Sequence, residues 1–141
     1  MVKSLNGFME GCIFRNAFVS VLEPGTVIEK HCGPSNVRHR LHFALQIPKK
    51  NGDGKDCLDT IPSLIVAGEK ITWAEGKAFV FDDSLVHSAC NPPIGNTGDQ
   101  KLEEDSGIYS EARVVLIVDL WHPELEDTER VAITQLYPSL P

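Results

Sequence analysis

Residues 112–121, ARVVLIVDLW, are apolar on both sides of an extended chain. Side chains alternate along a strand, so Arg113, Val115, Ile117, Asp119 and Trp121 share one face and Val114, Leu116, Val118, Leu120 and His122 the other. A strand apolar on both faces belongs inside a layered β structure. It also begins on an arginine. Either Arg113 sits at the strand end and reaches water, or it is buried and requires an anionic partner, because an unpaired buried charge is costly.

The rest of the chain is strand-length runs broken by Gly and Pro. AFVSVLEPGTVIEKH alternates around a turn at Pro24-Gly25, RLHFALQIP is halted by Pro48, and SLIVAGEKITW reads as a hairpin bent near Gly68. GKAFVFDDSLVHSACN reads as one further strand running into Asp82-Asp83. KKNGDGKDCLDTIPS and NPPIGNTGDQKLEEDSGIYSE read as loops, and ELEDTERVAITQL as a short helix with acids at its N-terminal end. Five or more short strands with little helix predict an all-β sandwich, jelly roll or small barrel, whose mouth is a natural binding site. At 141 residues the prediction is a single domain over residues 1–141.

The second strand carries an unusual pattern. Val37, His39, Leu41, Phe43, Leu45 and Ile47 form an apolar face, expected to be core. The opposite face carries Arg38, Arg40, His42, Ala44 and Gln46, and is either solvated or the lining of a polar pocket.

A formal net charge of −7 argues against a nucleic-acid partner. No apolar run approaches the ~18 residues of a membrane span and no secretory leader is visible, which predicts a cytoplasmic location. Cys12, Cys32, Cys57 and Cys90 show no CxxC spacing, so free thiols are expected. Of five histidines, His31 and His87 each follow or end a strand, where imidazoles from different strands can converge on a metal. A structural role is the alternative for each. His39 and His122 read as structural. In the H-x-D/E pattern of two-histidine, one-carboxylate iron sites, the acid would fall at Gly33, where there is none.

Taken together, EPGT, H-x-GP-x-N, R-x-R-x-H, EGK, FDDS-x-x-H and R-x-x-x-IVD-x-WHPEL, in that order between about residues 18 and 125, resemble the aspartyl/asparaginyl β-hydroxylase family. The resemblance implies a double-stranded β-helix, of jelly-roll or cupin-like form, with a short C-terminal helix. It implies an Fe(II)- and 2-oxoglutarate-dependent dioxygenase, using O₂, that hydroxylates an unactivated C–H, foremost the β-carbon of Asp or Asn in a peptide or protein. A small-molecule substrate is the other possibility. The family has glycine in place of the carboxylate ligand, which matches Gly33. Motif by motif, His31 and His87 correspond to the catalytic iron ligands. Arg113 and Ser20 correspond to the groups that hold the far carboxylate of 2-oxoglutarate, and Arg40 and His42 to those near the carboxylate beside its keto group. Arg38 corresponds to an arginine facing the substrate's acidic side chain. A dianionic cosubstrate would then explain arginines on an inner face. Asp82 and Asp83 either support the loop bearing His87 or simply form a turn. Only 19 residues precede Ser20, fewer than the family usually has, so the expectation includes N-terminal truncation and, as an alternative, an inactive jelly-roll binding module.

Overall fold

In the computed structural model, residues 5–48, 61–93 and 111–139 are described. Their strands are β1 (Ala17–Leu22), β2 (Thr26–His31), β3 (Arg38–Gln46), β4 (Ser63–Val66), β5 (Glu69–Thr72), β6 (Ala78–Phe81), β7 (His87–Asn91) and β8 (Arg113–Trp121), followed by helix α1 (Asp127–Leu136). Two four-stranded antiparallel sheets face each other, with orders β1-β8-β3-β6 and β2-β7-β4-β5. Apart from the β4–β5 hairpin, successive strands cross between the sheets, which makes the fold a double-stranded β-helix, one of the all-β forms the strand pattern allowed and the form the resemblance implied.

The strand ARVVLIVDLW becomes β8, central in its sheet between β1 and β3. The run read as one strand over 76–91 is two, β6 and β7, in different sheets, because Asp82, Asp83 and Ser84 form a turn between them. The hairpin SLIVAGEKITW forms as expected. Its two bend residues, Ala67 (φ 49) and Gly68 (φ 90), both lie in the left-handed region, as a tight hairpin with right-twisted strands requires.

Ala44, Leu64, Val66, Trp73, Phe81, Ala89, Val115 and Ile117 fill the space between the sheets. The face of β3 expected as core is the more exposed one, and the face read as either solvated or pocket-lining looks inward. Arg38, His42 and Ala44 point inward and are buried, whereas Leu41 and Phe43 are half-buried and Leu45 is 43% exposed. Alternation was read correctly, but hydrophobicity assigned the wrong side to the core, because the interior here is partly polar.

A second apolar cluster, Met9, Cys12 and Trp121 with Phe14, Val37, Leu125 and Ile133 against it, closes one end of the sandwich. It ties residues 5–16 and α1 to the end of β8. The backbone N–H of Glu126 donates to the Glu129 carboxylate at 2.8 Å, closing the first turn of α1. No helix among the described residues is long and apolar enough to cross a membrane. Cys12, Cys32 and Cys90 are free thiols, as expected, and Cys57 lies outside the described residues.

The hairpin bend gives a direct test. Gly68→Val forces a β-branched side chain into positive φ and is expected to destabilise the protein by about 1–2 kcal/mol. Urea unfolding of the two proteins measures this, and equal midpoints would contradict the bend geometry.

Candidate functional site

The inner faces of the two sheets enclose a cavity of about 180 Å³, lined by Phe18, Ser20, Ile28, His31, Arg40, His42, Leu64, Trp73, Phe81, His87, Ala89, Arg113 and Ile117. Six of the seven residues singled out from the sequence, Ser20, His31, Arg40, His42, His87 and Arg113, therefore line one space. Arg38 does not.

At one end, the rings of His31 and His87 lie 4.2 Å apart, centroid to centroid. A register shift brings them together. Ile28 pairs with Ala89 but His31 pairs with His87, so β2 carries one more residue than β7 across the same interval. Without that bulge, Lys30 would stand opposite His87. The Nδ1–H of His31 donates to the Glu29 carbonyl and that of His87 to the Leu85 carbonyl, both at 2.8 Å. A carbonyl can only accept, so Nδ1 carries a proton in each ring and Nε2 is the atom left for a Lewis acid. Burial holds His87 below the ordinary imidazole pKa and keeps it neutral.

Gly33 is explained sterically. Its N–H donates to the Asp83 carbonyl, and a Cβ at Gly33 would fall onto the Asp83 carboxylate, 2.6 Å from Cγ and 2.8 Å from Oδ1. That carboxylate cannot yield. Asp83 is fully buried and bound at 2.8 Å by Arg38 and at 3.3 Å by Arg40. On the other side, Arg38 meets Asp119 at 2.7 Å and Arg40 meets it at 2.8 Å, and Asp119 is fully buried too. Arg38 also donates to the Phe14 carbonyl and Asn16 to Asp119. So Arg38, expected to face a substrate, is 3% exposed with its guanidinium taken by Asp83, Asp119 and Phe14. The arginines of β3 answer to buried carboxylates of the protein itself, which the cosubstrate explanation overlooked. The two acids of FDDS divide their roles: Asp82 accepts from the Ser84 N–H in the turn, and Asp83 anchors the arginines.

At the other end, Arg113 is 1% exposed, with no carboxylate partner among the described residues. Its guanidinium donates to Ser20 Oγ at 3.0 Å and sits 4.8 Å above the Trp73 ring. Burial lowers its pKa to about 10, so it remains cationic at neutral pH. Trp73 Nε1–H donates to His42 Nδ1 at 3.3 Å. Burial, aided by Arg113, Arg40 and His87, lowers His42 to about 3. His42 Nε2 and Arg113 Nε are buried and have no hydrogen-bond partner among the described residues. Buried polar groups are rarely left so, and here both belong to residues that line the cavity. Sequence reasoning missed Trp73 and Asp119. The signal for Asp119 was its place on the same face of β8 as Arg113.

Known proteins place this geometry in context. The family model described as aspartyl/asparaginyl beta-hydroxylase matches residues 1–123. The chain belongs to the aspartyl/asparaginyl β-hydroxylase family. It is 36% identical over 137 residues to "Aspartate beta-hydroxylase domain-containing protein 2" of Xenopus tropicalis, covering 97% of this chain and 30% of that one. It is 38% identical to the Homo sapiens protein of the same name, covering 97% and 31%. To the Mus musculus "Aspartyl/asparaginyl beta-hydroxylase" it is 35% identical, covering 85% and 13%. The chain thus spans about a third or less of these relatives. Among solved structures, a cupin protein from Bacteroides fragilis is similar at TM-score 0.47 and 11% identity, over 79% of this chain and 70% of that one.

The residues suit the metal and cosubstrate associated with this family. Two imidazole rings lie 4.2 Å apart with their Nδ1 atoms held by backbone carbonyls, which leaves Nε2 for a metal, and buried donors line the same cavity. Among the described residues no group of three or more His, Cys, Asp or Glu side chains is placed to hold a metal. A cation here would have two protein ligands and draw the rest of its coordination from small molecules.

Two outcomes follow. Gly33→Asp is expected to destabilise the fold by more than about 2 kcal/mol rather than add a third ligand; urea unfolding and metal titration check both halves. For His42, the folded pKa of about 3 lies below the ordinary 6.5. Between these values the unfolded chain binds a proton that the folded chain refuses, so stability falls as pH drops through 6.5, by at most about 1.4 kcal/mol per pH unit. Unfolding of the ligand-free protein from pH 7 toward pH 4 should show a shallower decline in His42→Gln than in wild type.

Proposed function

We propose that the chain is an Fe(II)- and 2-oxoglutarate-dependent dioxygenase that hydroxylates an unactivated C–H, with the β-carbon of Asp or Asn in a peptide as the first candidate. The reading is carried by one observation: two imidazoles 4.2 Å apart, each with Nδ1 held by a backbone carbonyl, open onto the same cavity as a buried guanidinium that has no carboxylate partner among the described residues. Family membership supports it, as does the name of the mouse relative.

In this reading His31 and His87 hold the iron, and their Nδ1–H bonds to Glu29 and Leu85 fix the rings so that no reorientation is needed on loading. Arg113 and Ser20 take the far carboxylate of 2-oxoglutarate, and His42 and Arg40 face the end near the iron. Bound iron and 2-oxoglutarate supply the oxidising chemistry, in which O₂ is consumed, the keto acid loses CO₂ to give succinate, and one oxygen atom enters the substrate C–H. The protein's share is orientation and exclusion of water, to which Phe18, Ile28, Leu64, Phe81 and Ile117 contribute around the cavity. Arg38 acts at one remove, holding the two carboxylates that position Arg40.

The decisive experiment is anaerobic titration with Fe(II) and 2-oxoglutarate, monitored by iron-linked visible absorbance, together with succinate release in air. Wild type should show both, and His87→Ala should lose the absorbance. Arg113→Met should weaken 2-oxoglutarate binding by at least about a hundredfold, as expected for removal of a buried charge-assisted contact. A wild type that shows neither absorbance nor succinate would instead be the non-catalytic binding module.

A further inference from the structure

We propose that Trp73 sets the ligand preference of this cavity: its indole N–H fixes His42 as an Nε2–H donor while its ring face seats the Arg113 guanidinium, so that the polar groups around the anion site present donors and select an ionised carboxylate. The inference rests on the proposed 2-oxoglutarate site and names the residue that gives that site its selectivity.

The argument begins with the hydrogen inventory. An indole nitrogen can only donate. The 3.3 Å contact from Trp73 Nε1 to His42 Nδ1 therefore makes Nδ1 the acceptor. His42 is a neutral imidazole at physiological pH, so its one proton resides on Nε2, the buried atom without a partner. Had the proton been on Nδ1, Nε2 would present a lone pair to any carboxylate, which repels it. The Trp73 N–H removes that alternative.

The same side chain acts on Arg113. With its Cζ 4.8 Å from the Trp73 ring centroid, the guanidinium lies over the indole face and directs its edge toward Ser20. Ser20 Oγ accepts from Arg113, leaving its own O–H to donate. Ser20 and Arg113 thus offer donors to the far carboxylate, and His42 Nε2–H offers one to the carboxylate at the other end of the same cavity. A carboxylate, with acceptors only, satisfies either set, whereas a carboxamide would aim N–H groups at donors. Trp73 is 6% exposed, and the rings of Phe79 and Phe81 lie with it around His42. Its position is set by packing and does not depend on a ligand.

Trp73 is a positioning residue, and its test needs readouts that mere support of the fold would not move. On metal-free protein, ¹⁵N shifts of His42, assigned with His42→Gln, should report a single Nε2–H tautomer in wild type and tautomer exchange in Trp73→Phe. Calorimetric titration of 2-oxoglutarate into the same metal-free proteins should show roughly tenfold weaker binding in Trp73→Phe, the effect of one hydrogen bond, and a further loss in Trp73→Leu, which also removes the ring under Arg113. Preference for 2-oxoglutarate over its C5 monoamide should narrow in Trp73→Leu. In the loaded enzyme, Trp73→Phe should raise KM for 2-oxoglutarate and leave kcat nearly unchanged. An Nδ1–H tautomer in wild type overturns the proposal without any variant having to fold, as does a Trp73→Phe protein with wild-type tautomer and wild-type affinity. If wild type binds no 2-oxoglutarate, the functional reading fails, while the tautomer measurement still decides the role of Trp73.

Discussion

Two arginines of one strand, Arg38 and Arg40, hold two fully buried carboxylates, Asp83 and Asp119, at 2.7–3.3 Å. The four formal charges sum to zero, which is how so much charge is accommodated inside the sandwich. The quartet joins β3 to β8 and to the turn between β6 and β7. Through Asp83 it also reaches Gly33 in the loop after β2, whose N–H meets the Asp83 carbonyl. Both histidines therefore hang from segments fixed to one ionic knot: His31 lies two residues before Gly33, and His87 four residues after Asp83. Removing a single member would leave a buried charge unpaired, which is far costlier than never having buried the set.

This arrangement also divides the electrostatics of the cavity. Arg40 borders it but has its charge answered by protein carboxylates. Arg113 has Ser20, an aromatic face and no acid among the described residues. The unanswered positive charge is thus concentrated at the end away from the paired histidines, and a ligand with negative groups at both ends has a defined direction in which to lie.

Much of this was legible in the sequence. The strand pattern narrowed the fold to a sandwich, jelly roll or small barrel, and the motifs pointed to the jelly roll and named six residues that line one cavity. Alternation placed Arg38, Arg40 and His42 on a common face of β3, but hydropathy alone left that face either solvated or pocket-lining, because a polar interior matched by Asp83 and Asp119 looks like a surface until its partners are located. Those partners lie 45 and 81 positions from Arg38, and no local rule connects them. The strand over 76–91 was read as one because the turn at Asp82–Ser84 lacks Gly and Pro. Trp73 read as the end of a hairpin, since nothing in ITWAEGK announces that its indole will meet His42 in another sheet.

The extra residue in β2 has a consequence of its own. In a strand, parity decides which side chain looks inward, so the pairing of the two imidazoles depends on a count rather than on which residues fill the interval. Many replacements between Thr26 and Lys30 would leave that count intact, but one residue inserted there, with the bulge kept, would set the ammonium of Lys30 opposite His87 and carry the first imidazole one place beyond it. Variation in this segment is therefore expected to be permissive in chemistry and strict in length.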